Sequence, residues 1–338
     1  MSRPFNAPKF AKKRELNLRS ANYQVRTPLL VPSFSSKGFP EVGKIIELTQ
    51  PFLDSQILVS AYDLYHGHIP ADIDLNFPPL IFVDSGGYEA SQDRAMQDPA
   101  RPSNTEYSPS DELWKEVSYE KIISDWDKIP PTIFVNFDHP NKRVPLNEQI
   151  SDALKLGGAK TQLEREFLIK PNTERKQYLD VEEICANIKK LSPFIAIGVT
   201  EDEIGNTPLK RMVQIGRLRK AMNDANMDLP IHVFGSLDTV TTLLYFVMGA
   251  DIFDGLTWLR YAYLDGDTVY LPSLAALKFP KVQYKSVDLE CWRSNYIYLQ
   301  DMELRMRSFL TDGDFSRLGK HAKEIEDLYV AAVEELGD

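Results

Sequence analysis

Hydrophobic residues recur along this chain in eight short runs, each bounded by turn-forming or charged residues. The runs are LLVPSFS (29–35), QILVSAYDLY (56–65), PLIFVDSG (79–86), TIFVNFDH (132–139), REFLIKP (165–171), PFIAIGV (193–199), LPIHVFGS (229–236) and DIFDGLTW (251–258). Their apolar character is nearly continuous rather than alternating, as is typical of strands that are buried on both faces. The pattern therefore predicts eight buried β-strands.

Helix-like stretches separate most of these runs. They cover residues 40–50, 147–157, 179–190, 207–224 and 237–248. Buried strands that alternate with helices favour the α/β class, and eight of them favour a closed parallel (β/α)8 TIM barrel. A doubly wound open sheet is the alternative, but no glycine-rich phosphate loop follows the first run.

Two regions depart from this alternation. Residues 88–131 are longer than a simple connection between the third and fourth strands requires, so we expect an insertion over the mouth of the barrel. Residues 272–338 carry long amphipathic patterns at 291–310 and 315–335, which predict a mainly helical C-terminal appendage. The expected organisation is therefore a barrel over residues 1–271 and an appendage over residues 272–338.

Composition narrows the class of protein. No apolar run approaches the roughly 18 residues that a membrane span needs, and the first residues lack the apolar segment of a signal peptide. The two cysteines, Cys185 and Cys291, are far apart in sequence and cannot form a disulfide framework. We therefore expect a cytoplasmic protein without a membrane partner.

Charge is distributed unevenly along the chain. The net charge of −10 argues against a protein that coats DNA through charge alone, but it leaves room for an enzyme with a local basic groove. A solvated surface is the simpler interpretation of the two basic clusters, and contact with phosphates is the alternative. The clusters are Lys9, Lys12, Lys13, Arg14 and Arg19 near the start, and Lys210, Arg211, Arg217, Arg219 and Lys220 on a predicted helix.

Polar residues gather at or near the carboxyl ends of the predicted strands. They are Ser33, Asp63, Asp84, Asp138, Lys170, Thr200, Ser236 and Asp254. In a (β/α)8 barrel this rim is where catalysis occurs, because the loops that follow the strands converge there. One aspartate at a strand end is usually a helix cap or a turn residue, but three on three strands, as with Asp84, Asp138 and Asp254, point to chemistry.

Two motifs at this rim suggest glycosidic-bond chemistry. In Val83-Asp84-Ser85-Gly86-Gly87-Tyr88 an acid ends a strand, two glycines allow close approach of the backbone, and an aromatic ring follows. In Gly249-Ala250-Asp251-Ile252-Phe253-Asp254 a second carboxylate leaves the eighth strand. Such a pair can divide the work, one attacking the anomeric carbon and the other transferring protons.

Through these motifs the chain resembles the tRNA-guanine transglycosylase superfamily, most of all the bacterial and phage paralogues that insert 7-deazaguanines into DNA. The motifs that carry the resemblance are TPLLVP at 27–32, Tyr62 and Leu64 in SAYDLY, DSGGY at 84–88, NFDHP at 136–140, AIG at 196–198, HVFG at 232–235 and GADIFD at 249–254. The resemblance implies an enzyme, a glycosyltransferase that exchanges guanine in a nucleic acid for a free 7-deazaguanine base.

The resemblance also implies roles for individual residues. Asp254 corresponds to the nucleophile that forms a covalent glycosyl intermediate, Asp84 to the general acid/base, and Asp138 to the reader of the pyrimidine edge of the base. The remaining residues implied in substrate binding are Ser85, which assists, Tyr88 and Phe234, which stack on the two faces, and Gly86, Gly198 and Gly235, which leave room.

The chain departs from the family at several points. Lys170 and Pro171 stand where the fifth strand supplies a glutamine, and the run VTEDEIG replaces a glycine-rich stretch. After the nucleophile only Arg260 remains of the basic residues that grip tRNA. Trp258 and Tyr261 nearby are expected to stack on flanking bases.

The zinc site of the family is degenerate in this chain. Ser286 and Asp288 replace two of its cysteines, Cys291 remains, and His321 takes the place of the histidine. This set does not make the closed Cys3His site that structural zinc prefers, so we expect neither zinc nor another cofactor. A buried structural cysteine is the favoured interpretation of Cys291.

Several functions stay open at this point. Loss of the tRNA-gripping features favours DNA as the polymer, with tRNA as the alternative and a non-catalytic accessory subunit as another. A plain glycoside hydrolase gives no reason for DSGGY. The target base must leave its stack, so a helper protein that opens the duplex is a candidate partner, as is a second copy in a homodimer. The histidines near strand ends (His66, His68, His139 and His232) are expected to have structural partners, because the carboxylates already account for acid–base work.

Overall fold

Eight parallel strands form a closed barrel in the order β10-β3-β4-β5-β6-β7-β8-β9. The structure is a computed structural model that describes residues 10–91, 114–139, 142–158 and 163–337. Its strands are β1 (Glu15–Leu18), β2 (Tyr23–Arg26), β3 (Leu29–Phe34), β4 (Ile57–Ser60), β5 (Ile81–Asp84), β6 (Thr132–Val135), β7 (Glu164–Ile169), β8 (Ala196–Thr200), β9 (Ile231–Phe234), β10 (Ile252–Gly255), β11 (Ala262–Leu264) and β12 (Asp267–Val269). A strand lies in each of the eight predicted runs, which confirms the (β/α)8 prediction.

Helices surround the barrel and form the C-terminal region. They are α1 (Val42–Thr49), α2 (Ala61–Tyr65), α3 (Gly87–Ala90), α4 (Glu116–Asp125), α5 (Leu146–Lys155), α6 (Val181–Ala186), α7 (Pro208–Asp224), α8 (Thr241–Val247), α9 (Thr257–Arg260), α10 (Leu271–Lys278), α11 (Tyr284–Asp312) and α12 (Ala322–Leu336). Each predicted helical stretch contains one of them. The mainly helical C-terminal region is confirmed, and α11 and α12 pack directly on elements of the barrel.

One strand prediction was too long. The run at 56–65 forms β4 only up to Ser60, and its remainder, Ala61–Tyr65, turns into α2. A continuous apolar run does not by itself distinguish a long strand from a short strand followed by a helical turn. The predicted insertion contains α3 and α4, and its residues 92–113 lie outside the described residues.

The pleat of the strands divides the core into two layers. Inward-facing residues such as Leu29, Phe82 and Leu168 pack together inside the barrel, whereas their neighbours along each strand pack against the surrounding helices. Leu16 and Leu18, from the β1–β2 hairpin, join the inner layer and are fully buried. The hairpin therefore closes the amino-terminal end of the barrel, opposite the rim that carries the predicted site.

A buried ion network fixes this closed end. Asp251, just before β10, accepts a hydrogen bond from Arg14 at 2.7 Å and another from Arg219 of α7 at 2.6 Å. All three side chains are almost inaccessible to water. Burial lowers the pKa of Arg219 to about 10, and Asp251 opposes that effect. The network ties the N-terminal segment and an outer helix to the barrel wall.

The structure divides the two basic clusters. Arg14 and Arg219 are buried at the closed end, and Arg211 is paired with Glu201 at 2.9 Å, so these three arginines have structural partners. Helix α7 is moreover covered by α12, its main helical neighbour. Lys12, Lys13 and Arg19 are exposed, as a solvated surface predicts, and Lys9 lies outside the described residues.

No helix among the described residues combines the length and the apolar character that crossing a membrane would require.

Candidate active site

The barrel brings the predicted acids to one end of its interior. Along β5 and β10 the inward-facing positions read Phe82 then Asp84, and Ile252 then Asp254, so each carboxylate lies one layer above a core residue. The two strands are separated by β3 and β4 in the closed sheet. Asp254 is one of the charges that act on Asp84, which places both in a common electrostatic environment.

Both carboxylate oxygens of Asp254 are held. Oδ2 accepts a hydrogen bond from Ser33 Oγ at 2.8 Å, and Oδ1 accepts one from the backbone N–H of Gly235 at 3.1 Å. The Nε2 atom of His232 lies 3.3 Å from Oδ1. Asp254 is only 5% exposed, so these contacts fix the direction in which its carboxylate faces the mouth. The carboxylate of the predicted nucleophile is therefore held in one orientation.

Asp84 has a different environment. Its one hydrogen bond with a described residue is donated by the backbone N–H of Gly86, at 3.2 Å from Oδ2. Burial raises the pKa of Asp84 to about 7, and the charges of Glu89, Asp138 and Asp254 raise it further, against the Gly86 hydrogen bond. A carboxyl group with a pKa near neutrality can both donate and accept a proton at physiological pH, as a general acid/base must.

The two glycines after Asp84 allow close packing of the turn. Gly86 has φ +86°, and a Cβ there would lie 2.5 Å from Cβ of Tyr62. A Cβ on Gly87 would lie 2.8 Å from the Asp138 carboxylate. Ser85 is fully buried, and its Oγ accepts a hydrogen bond from the Asp138 backbone N–H at 3.1 Å. Ser85 thus positions the segment that carries Asp138.

Asp138 forms a charged group with residues that follow β6, β7 and β8. Its carboxylate lies 3.1 Å from Arg143 and 3.3 Å from the Lys170 ammonium, which also contacts Glu203 at 2.8 Å. Burial opposes the charge of Lys170, but Asp138 and Glu203 outweigh it, so the pKa of this lysine is raised. A cavity of about 200 Å³ adjoins Asp138 and Lys170, and neither Asp84 nor Asp254 lines it. Lys170, which the sequence placed at the rim, thus contacts the predicted reader of the base.

The two predicted stacking rings occupy unequal positions. Tyr88 is 43% exposed at the mouth, where the Lys37 ammonium lies 4.5 Å from its ring centroid. Phe234 is 8% exposed, and its ring stacks on His232 with centroids 3.9 Å apart. A Cβ on Gly198 would lie 2.5 Å from this phenylalanine ring. As placed, Gly198 makes room for Phe234 rather than for a base, which corrects the expectation for that glycine.

The aromatic residues after the nucleophile also need a correction. Trp258 has no exposed surface, and its Nε1–H donates to the carbonyl of Ser33 at 3.2 Å. It packs edge-on against Phe34 and cannot stack on a flanking base in this position. Tyr261 is half-buried, and Arg260 lies at the mouth, where it donates to the Tyr88 hydroxyl at 3.4 Å. Trp258, one of the three predicted nucleic-acid contacts, is therefore a core residue.

A second group of buried acids, Glu89 and Asp63, lies beside Asp84; the sequence placed Asp63 at the rim but did not indicate Glu89. Glu89 accepts hydrogen bonds from the hydroxyls of Ser35 and, at 2.8 Å, Ser60. Asp63 accepts one from the Ser36 backbone N–H at 2.8 Å. Burial raises the pKa of each acid to about 7; the charge of Asp63 contributes to the shift of Glu89, and the charge of Asp84 contributes to that of Asp63. Two further acids with raised pKa values therefore lie next to the predicted general acid.

His232 was expected to have only structural partners, and the structure places it against the nucleophile. It is fully buried, with Nδ1 at 2.8 Å from Glu166 Oε1 and Nε2 facing Asp254. Glu166 was missed altogether. The signal was present in REFLIKP, because a charged residue at an inward position of a buried strand is rare unless it is paired.

In the region that resembles a degenerate zinc site, Cys291 and His321 have different partners. Cys291 is buried, and burial, with a further contribution from Asp288, raises the pKa of its thiol to about 12. His321 Nε2 lies 2.7 Å from Asp267 Oδ1 on β12. Among the residues that the structure describes, no group of three or more histidines, cysteines or acids is arranged to hold a metal ion.

Comparison of the chain with protein-family models and with curated proteins found no match. The functional interpretation therefore depends on the geometry of the site.

Proposed function

We propose that this protein is a base-exchange transglycosylase that replaces guanine in DNA with a free 7-deazaguanine through a covalent bond to Asp254. One observation carries the proposal: two carboxyl groups at the same barrel mouth have different environments. Both oxygens of Asp254 accept hydrogen bonds, whereas Asp84 is buried with one hydrogen bond to a described residue and burial raises its pKa to about 7. This division of labour is what cleavage and re-formation of a glycosidic bond requires.

The two carboxyl groups account for both halves of the exchange. In the first half, an oxygen of Asp254 bonds to C1′ as the bond from C1′ to the base breaks. The electron pair goes to the departing base, which takes the proton of Asp84. In the second half, the incoming base loses its proton to Asp84 and attacks C1′, and the bonding electrons return to Asp254 as a carboxylate.

Asp138 and Lys170 supply a complementary surface for a guanine-type base. The carboxylate accepts hydrogen bonds, the ammonium donates them, and the two lie 3.3 Å apart beside the cavity. Guanine presents N–H donors next to its O6 acceptor, so the pair matches that edge, whereas adenine carries an amino group in place of O6. A 7-deazaguanine has the same edge, so one pocket serves both bases.

DNA is favoured as the polymer because the chain departs from the tRNA-binding features of the family that it resembles. Among the described residues, exposed cations near the cavity and the mouth include Lys115 and Lys142, with the half-buried Arg260 beside Tyr88. Such a small basic surface suits a single extruded base and its neighbouring phosphates better than a large folded RNA. A helper protein that opens the duplex fits this mode of binding. An accessory, non-catalytic role is disfavoured because both carboxylates are in place.

The test is exchange of radiolabelled guanine into single-stranded DNA by wild-type protein and by Asp254→Asn. We expect wild type to exchange the base and to form an adduct that survives denaturant, and we expect the variant to lose both by several orders of magnitude. Asp125→Asn is the matched control, because Asp125 is an exposed acid on α4 that pairs only with Lys121 among the described residues. Near-normal exchange by Asp254→Asn would exclude the covalent mechanism.

A further inference from the structure

Glu166, His232 and Asp254 form a row of three charged side chains inside the barrel. They come from β7, β9 and β10, and the contacts are 2.8 Å between Glu166 and Nδ1 and 3.3 Å between Nε2 and Asp254. Phe234 stacks on one face of the imidazole, and Phe82 packs with its ring centroid 5.6 Å away. The row is thus buried below the mouth, with Asp254 as its upper end.

The two carboxylates at its ends favour the charged form of the central residue of this row. Burial lowers the pKa of His232, but the fields of Glu166 and Asp254, together with hydrogen bonding to them, outweigh burial and raise the pKa to about 9. Both ring nitrogens then carry protons, one facing each carboxylate. Removing either carboxylate would leave the buried imidazolium of His232 with only one neighbouring negative charge.

The contacts make the two oxygens of Asp254 chemically different. Oδ1 faces a backbone N–H and the imidazolium, whereas Oδ2 accepts from the Ser33 hydroxyl. The positive charge of the imidazolium 3.3 Å from Oδ1 holds electron density on that oxygen, which leaves Oδ2 the better nucleophile. Attack by Oδ2 would leave Oδ1 as the ester carbonyl, still bonded to the Gly235 N–H.

We propose that Glu166 and His232 are positioning residues that direct attack through Oδ2 of Asp254 and make its carboxylate a good leaving group in the second half of the exchange. This role rests on the proposed function. The Oδ2–C1′ bond forms as the bond to the first base breaks, with the proton of Asp84 going to that base. It breaks when the second base attacks, and its electron pair returns to Asp254 while the proton of the incoming base goes to Asp84.

A fixed cation has opposite effects on the ester and on the free carboxylate. Asp254 is negative before and after the exchange and neutral in the covalent intermediate. The imidazolium therefore stabilises the free carboxylate more than the ester, which prevents the intermediate from accumulating. Loss of the cation should slow breakdown of the intermediate more than its formation.

The experiment uses His232→Gln, Glu166→Gln and the double variant in the full-length protein with guanine-containing single-stranded DNA. Steady-state exchange gives kcat and KM, and quenching in denaturant gives the fraction of protein in the covalent adduct. We expect kcat to fall about ten-fold or more, KM to change little and the adduct fraction to rise. The double variant should lose no more than His232→Gln, because the two residues act as a unit.

Leu168→Met is the matched control, because Leu168 is an inward-facing neighbour of Glu166 on β7 and the exchange conserves volume. It should leave kcat and the adduct fraction unchanged. A fall of kcat and adduct together, in proportion to the loss of folded protein, would show a purely structural role and overturn the inference. Unchanged partitioning in folded variants would do the same while leaving the proposed function intact. Absence of exchange and adduct in wild type would remove both.

A second measurement can be made without substituting Glu166 or His232, so it still tests the inference if substitutions at these buried positions prevent folding. Nitrogen-15 NMR of labelled histidine in wild type should show one imidazolium at pH 8, titrating near pH 9, with a lower pKa in Asp254→Asn. The charged groups in contact with it are Glu166 on β7 and Asp254 on β10. A neutral imidazole for His232 at pH 8 would overturn the inference.

Discussion

Replacing Asp84 by asparagine should abolish base exchange and, at the same time, stabilise the folded protein above pH 7 relative to wild type. Burial and neighbouring acids hold the pKa of Asp84 at about 7 in the folded state, against 3.8 for an ordinary aspartate. The folded protein therefore retains this proton over a pH range in which the unfolded chain has released it. The stability that Asp84 contributes is complete below pH 4 and is lost as the pH rises through 7.

The magnitude follows from the difference in pKa. About three pH units at 1.36 kcal/mol each correspond to about 4 kcal/mol in the free energy of unfolding between pH 4 and pH 8. Asparagine does not titrate, so the variant escapes this loss. Because Glu89 and Asp63 readjust their own protons, we expect the stability difference between variant and wild type to grow by about 2–4 kcal/mol over that range.

The assay is urea unfolding of both proteins at several pH values between 4 and 8, followed by circular dichroism, with exchange measured in parallel. Asp125→Asn provides the control, since its stability relative to wild type should stay flat with pH. We expect exchange by Asp84→Asn to fall by about 10²–10⁴-fold. A stability difference that does not grow with pH would refute the protonated state assigned to Asp84, and near-normal exchange would refute its catalytic role.

Four further predictions follow from the fold and the site. Trp258→Ala should lower the free energy of unfolding by about 3–5 kcal/mol, while the DNA affinity of the remaining folded protein stays within error of wild type; a binding defect without a stability defect would restore a stacking role. Asp251→Asn should destabilise the protein by about 3–5 kcal/mol, because two buried arginines lose their counter-charge; an unchanged thermal midpoint would contradict the ion network at the closed end. Purified protein should contain well under one equivalent of zinc, and chelators should leave its thermal midpoint unchanged; stoichiometric zinc that disappears in Cys291→Ser would reverse this expectation. Exchange should be faster in single-stranded or bubble DNA than in tRNA anticodon stem-loops, and a preference for tRNA would reject DNA as the substrate. DNA binding should weaken as the salt concentration rises.

The fold could be predicted because strands buried on both faces leave uninterrupted apolar runs in the sequence, as in LPIHVFGS around β9. The β1–β2 hairpin escaped prediction for the opposite reason. Its strands are four residues long, and only one face is buried, so Leu16 and Leu18 alternate with polar residues. The hairpin packs into a space at the closed end of the barrel, and that space exists only once the barrel has assembled.

The acids of the site could be predicted because any strand-end residue of a barrel reaches the same rim. Asp84 and Asp254 needed no knowledge of their neighbours. Glu166 and His232 did, because their contact depends on the register between strands that are far apart in sequence. The burial of Trp258 likewise depends on the packing of α9 against α11, where the side-chain amide of Asn295 donates to the backbone carbonyl of Trp258 at 2.7 Å. No local sequence pattern indicates that the Trp258 side chain is buried rather than exposed at the mouth.

The pairing of β3 with β10 has a consequence for how activity is acquired during folding. It joins Val31 to Asp254, and the hydrogen bond from Ser33 to the nucleophile spans 221 residues of sequence. Contacts of such long range form slowly, because a large loop of chain must be closed before they contribute any stability. Helices and neighbouring strands can assemble earlier without orienting Asp254. Recovery of the proposed base exchange during refolding should therefore follow closure of the barrel and lag behind the recovery of helical signal. An exchange assay would then report on when β3 pairs with β10.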